Sequence, residues 1–75
     1  MSKTVADSML PRSKFIWCLH CEYVDLRQAW LENNGHCTRK NCSGGLLDGW
    51  SWHQVRKPNN YPVIPELNKP YSLYR

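Results

Sequence analysis

The chain has 75 residues, which limits it to one domain with a small core. The formal net charge is +4, and four metal-bound thiolates with one divalent ion would lower it to about +2. That balance permits an acidic partner without singling out nucleic acid, and the longest apolar run, Phe15-Ile16-Trp17-Cys18-Leu19, has five residues and excludes a membrane-spanning helix.

Residues 1–13 are polar, with scattered charge and Pro11, and predict a flexible N-terminal arm. The alternative is a basic arm that orders on a partner through Arg12 and Lys14. No secretory signal is visible in residues 1–12, which carry Lys3, Asp7 and Arg12 and no apolar stretch of the needed length. The expected compartment is the cytoplasm, where thiols stay reduced.

Residues 14–17 predict a strand, with Phe15 and Trp17 on one face and Ile16 on the other. The strand runs into Cys18-Leu19-His20-Cys21, where a tight turn would aim backbone N–H groups at sulfur and turn Leu19 and His20 outward. Further on, Asp25-Leu26-Arg27-Gln28 has the form of a capping box. Leu26, Ala29 and Trp30 keep helical spacing, and Asn33-Asn34-Gly35 is a stop signal. A short helix is expected, with a hairpin turning at Asn34-Gly35 as its rival.

Cys37 and Cys42 form the second cysteine pair, followed by Ser43-Gly44-Gly45, whose glycines allow a tight turn at the sulfurs. Leu46-Leu47-Asp48 predicts a short strand, and Asp48 can cap a helix that runs to about Lys57 and stops at Pro58. Trp52 and Val55 would face the core, although the alternation of Trp50 and Trp52 leaves a strand open. Residues 58–75 hold four of the five prolines among tyrosines and aliphatics. They predict an extended tail packed on the core, with docking to a partner as the alternative. The expected division is arm 1–13, core 14–57 and tail 58–75.

All four cysteines, Cys18, Cys21, Cys37 and Cys42, lie within this stretch in two close pairs. Four thiolates can close a tetrahedral shell around one structural zinc ion. Iron and a pair of disulfides are the alternatives. Structural zinc contributes on the order of 10–16 kcal/mol in zinc-finger peptides, more than so small a core can. The metal-free chain should therefore be largely unfolded. His20, His36 and His53 could enter a shell only by displacing a cysteine. A shell of four cysteines leaves no open position for catalysis, the zinc-deaminase signature is absent, and no enzyme is expected.

Cys18-x-x-Cys21-Glu22, the second pair with Gly45, Asp48-Gly49-Trp50-Ser51-Trp52, Tyr61-Pro62-Val63-Ile64-Pro65 and Tyr71-Ser72-Leu73-Tyr74 resemble small, uncharacterised zinc-ribbon proteins of bacteria and their phages. The resemblance covers residues 15–75 and implies a fold and a metal but no activity. The common ribbon pattern has Cys-x-x-Cys in both pairs, and here four residues separate Cys37 from Cys42.

The expected fold is thus a small metal-stabilised α+β domain, zinc-ribbon-like, with short antiparallel strands, one or two short helices and a Pro/Tyr-rich tail. The expected function is a non-enzymatic adaptor with a protein partner and neither membrane nor small-molecule substrate. The alternative is a nucleic-acid-binding ribbon. The candidate contacts for either are Arg39, Lys40, Trp50, Trp52, Arg56 and Lys57.

Overall fold

The five-residue apolar run supplies the middle strand of a sheet covered on both faces. In the computed structural model, which describes residues 8–72, Phe15–Cys18 forms β1. Val24–Leu26 forms β2 and Gly49–Ser51 forms β3. Both flank β1 antiparallel, in the order β2-β1-β3. Trp17 lies opposite Val24 on one side and Trp50 on the other. Ile16, Trp17 and Cys18 are all buried, as a strand with no solvent face requires.

Side-chain alternation along β1 divides the interior in two, as expected. Ile16 and Cys18 pack with Leu10, Trp30 and Cys37. Trp17, with Phe15 at its edge, packs with Val24, Trp52, Val55 and Tyr71. The first cluster holds the cysteines; the second is closed by the tail.

Helix α1, Arg27–Glu32, follows β2 directly, so the helix is realised and the rival hairpin is not. Its predicted cap at Asp25 is corrected. Pairing with Ile16 holds Asp25 in β2, and its carboxylate accepts from Leu26 N–H and the Thr38 hydroxyl. The Arg27 N–H instead donates to the Lys14 carbonyl at 2.9 Å, so the residue just before β1 does the work of a cap. At the other end, Gly35 N–H donates to Trp30 O and Asn34 N–H to Leu31 O, with Asn34 at φ 58° and Gly35 at φ 80°. This is a Schellman stop, at the place the Asn-Asn-Gly signal marks.

The helix expected from Asp48 is also corrected. Leu46–Asp48 is a 3-10 turn, not a strand. Pairing with β1 then draws Gly49–Ser51 into the sheet, and α2 begins only at Trp52. Helix α2 spans Trp52–Asn59 and includes Pro58 in its last turn, where one missing N–H is tolerated. Buried Asn59 adds a side-chain bond to the same turn, donating to Val55 O at 2.9 Å. Asn60, left-handed at φ 59°, ends the helix with Tyr61 N–H on Arg56 O. The boundary expected at 57/58 therefore falls inside α2.

The tail beyond α2 packs on the core. Tyr71 is 3% exposed, and its backbone carbonyl accepts from the Trp17 indole at 2.7 Å. Tyr71 N–H donates to Glu22 O, and Pro70 bridges to Tyr23. Tyr61 stacks on Trp52 with centroids 5.8 Å apart. Residues 8–13 of the expected flexible arm are corrected as well: Leu10 is buried against Ile16 and Trp30, and Pro11 O accepts from Arg27 Nε. A small interior recruits whatever apolar side chain lies nearby. Residues 1–7 of the arm and 73–75 of the tail, with Leu73 and Tyr74, lie outside the described residues. Among the described residues, no helix is long and apolar enough to cross a membrane.

Candidate metal centre

Cys18 ends β1, and Cys21 follows in the turn that leads to β2. That turn is closed by Glu22 N–H on Cys18 O at 2.8 Å, with Glu22 at φ 66°. Cys37 and Cys42 come from the loop between α1 and the 3-10 turn, drawn in by Cys37 N–H on Gly44 O at 3.0 Å. The four sulfurs lie within 4.8 Å of one another. Cys18 and Cys42 are 3.5 Å apart at sulfur, and Cys21 and Cys37 3.6 Å. A tetrahedral ion with bonds of about 2.3 Å to sulfur sets edges of about 3.8 Å, so the donor set fits one metal ion. All four are free thiols, and among the described residues no histidine joins the group.

Backbone N–H groups converge on the sulfurs. Those of His20 and Cys21 face Cys18. Arg39 N–H points at Cys37 sulfur at 3.5 Å, and Gly44 N–H at Cys42 sulfur at 3.4 Å. Three of the four cysteines thus receive an N–H from the second residue downstream. The longer second spacing keeps this device at both of its cysteines, since Arg39 serves one and Gly44 the other. Such donors stabilise negative sulfur and hold the ligands in place.

Titration follows the same geometry. Burial pushes the Cys18 thiol up to about 11, against the pull of the Cys21 and His20 N–H groups. Burial also raises Cys37, against the Arg39 N–H. For Cys42 burial is the largest single influence, but the Gly44 N–H and the neighbouring thiols together outweigh it, so it lies below the ordinary value. A positive ion at the centre would offset the burial of both raised thiols.

Around the centre, Asp48 acts as a bracket. Its carboxylate accepts from Gly45 N–H at 2.9 Å and lies 3.1 Å from His20 Nε2. Leu19 N–H donates to Asp48 O at 2.9 Å, which ties the first knuckle to the 3-10 turn. Leu19 and His20 face outward as expected.

The non-cysteine candidates divide between two places. Arg39 and Lys40 line an open cleft of about 420 Å³ beside the cysteines, with His20, Asn41 and Ser43. Arg39 is not a free tip, because its guanidinium carbon lies 3.7 Å from the Tyr23 ring centroid. Trp52 and Arg56 line a second groove on the other side of the sheet. Trp52 is 2% exposed and its indole donates to the carbonyls of Pro62 and Val63, so it offers no stacking face. Trp50 is 37% exposed and tilts against Trp17 at 5.7 Å. Lys57 is exposed near the end of α2. Sequence reasoning missed Asp48 as a bracket and Tyr23 as the seat of Arg39. Neither spacing nor composition signals such pairings.

No protein-family model, curated protein or solved structure matches the chain. The likeness to zinc-ribbon proteins rests on the motifs that carry it.

Proposed function

We propose that the chain is a non-enzymatic, zinc-ribbon-like module in which Cys18, Cys21, Cys37 and Cys42 hold one structural zinc, and that it serves as a small protein-binding adaptor. The observation that carries the metal reading is four sulfurs within 4.8 Å, converged on by backbone N–H groups. Sulfur-only donors in a tetrahedron suit zinc over the harder cations. Four ligands close the shell, so a substrate would find no open position on the ion. The adaptor reading is supported by exposed apolar side chains that the fold holds outward, Val63 and Ile64 above all.

Native mass spectrometry with elemental analysis tests the metal. One zinc per chain is expected, with loss of dispersed amide signals when a chelator removes it. A Cys42→Ser chain that stays folded and keeps its zinc would sink the four-ligand assignment.

A nucleic-acid reading has one observation in its favour: among the described residues, the knuckle cleft is lined by His20, Arg39 and Lys40 and by no carboxylate. Titration with oligonucleotides at low and near-physiological salt tests it through Trp50 fluorescence. Salt-steep quenching would favour this reading over the adaptor.

A further inference from the structure

We infer that the groove between β1, α2 and the turn at 61–64 docks an apolar, acidic peptide segment of a partner protein. The inference deepens the adaptor reading and rests on it. The groove encloses about 330 Å³. Phe15, Trp52, Val63 and Ile64 supply its apolar walls, and Lys14, His53 and Arg56 stand around them. Among the described residues, no carboxylate lines it.

Val63 and Ile64 are 67% and 73% exposed, and they are adjacent in the chain. Their exposure does not come from a slack loop. Trp52 Nε1 donates to Pro62 O at 3.1 Å and Val63 O at 3.2 Å. Arg56 Nε donates to Tyr61 O and Pro62 O, both at 3.2 Å. Two side chains of α2 thereby satisfy the carbonyls of the turn and fix its backbone. Pro62 and Pro65 restrict it further. A surface held open in this way binds with little ordering cost.

Charge points to the partner's chemistry. Arg56 lines the groove, and its bonds to the turn use Nε rather than the terminal nitrogens. The Lys14 amine lies 5.9 Å from the Phe15 ring. Among the described residues the one ion pair is His20–Asp48, on the cysteine side of the molecule. Lys14 and Arg56 thus have no carboxylate partner among the described residues, and a peptide bearing Asp or Glu beside its apolar residues complements them. A nucleic acid fits less well. The Trp52 ring is already stacked on Tyr61, and Val63 and Ile64 offer aliphatic surface with no base-stacking face.

The test is a random-peptide display library selected on the zinc-loaded full chain. Selected peptides are then synthesised and titrated by fluorescence anisotropy and by amide NMR. Zinc content is measured on every sample, so failure of the metal centre is seen separately. The expected peptides combine Leu, Ile or aromatic residues with Asp or Glu and shift the amides of Lys14, Phe15, His53, Arg56 and Ile64. Lys14→Glu and Ile64→Asp, both exposed, should each weaken binding about tenfold or more while zinc content and amide dispersion stay unchanged. Binders that are basic, or that shift the knuckle cleft instead, would overturn the groove and leave the adaptor reading standing. A library that yields no binder at all would overturn both. Concentration-dependent self-association abolished by Ile64→Asp would assign the groove to a second copy of the chain and overturn the peptide.

Discussion

A methyl group on Gly44 would stand 2.8 Å from the Cys18 sulfur and 3.4 Å from the Cys42 sulfur. The glycine is required by close approach, and its N–H is also a donor to Cys42. Gly44→Ala keeps that N–H but drives a methyl against the Cys18 sulfur, and by pushing the donor off Cys42 should cost about 10–100-fold in metal affinity, measured by competition with a chromophoric chelator. The neighbouring Gly45 has open space where a side chain would stand, and Gly45→Ala serves as the control. Protons give a second prediction. In the metal-free fold Cys18 is raised from 9.0 to about 11 and Cys37 is raised as well, both chiefly by burial. Raised thiols favour the neutral metal-free fold below pH 9, and that contribution fades as pH climbs through the raised values. Metal entry inverts the sign, because the bound sulfurs are thiolates. Zinc must then expel at least the two protons of Cys18 and Cys37. Its affinity should rise at least about 100-fold per pH unit between about pH 6 and 8. Chelator competition across that range would show a slope near one or below if these thiols were already ionised.

At the scale of elements, β1 organises everything around it. Its hydrogen bonds reach β2 and β3, Lys14 just before it supplies the acceptor that starts α1, and its last residue is one of the four clustered cysteines. β3 fits beside it only because Gly49 has no side chain. A Cβ there would meet Ile16 Cγ2 and Trp30 Cζ3 at 2.9 Å each, and Leu10 Cδ2 at 3.2 Å. Gly49→Ala should destabilise the zinc-loaded chain by about 1–3 kcal/mol, the range for overpacking, read from its urea midpoint. An unchanged midpoint would mean that α1 can move away from the sheet. Both helices end in left-handed asparagines, Asn34 and Asn60. The first stop was legible from Asn33-Asn34-Gly35. The second was hidden behind Pro58, which reads as a terminator but occupies the last turn.

At the scale of the whole molecule, two small cores share one sheet, and they are stabilised differently. The cysteine side includes the clustered thiols, with Cys18 and Cys37 among its buried groups. The other side is an aromatic cluster of Trp17, Trp52, Tyr61 and Tyr71, half of it supplied by the tail. Tyr71→Ala should cost about 3–5 kcal/mol, as other large-to-small core changes do, even with zinc bound. A chain ending at Asn60 should lose β1 amide protection and show red-shifted tryptophan emission. Retention of native exchange protection in that shortened chain would show the tail to be an accessory of the fold.

The sequence by itself determined the four cysteines as one group, the strand at Phe15, the split of β1 side chains between two faces, the inward Trp52 and Val55, and the end of α1. Each of these follows from spacing, alternation or local backbone preference. Tertiary structure decided the rest. Asp25 and Asp48 look like helix caps locally, but β-pairing and a bracketing contact claim them instead. Leu10 and Tyr71 lie in segments that read as arm and tail, yet their burial depends on which cavities the sheet leaves unfilled. Trp50 and Trp52 are two residues apart and meet opposite fates, because one ends in β3 and the other begins α2. Long-range competition for a small interior sets these outcomes, and no local pattern encodes it.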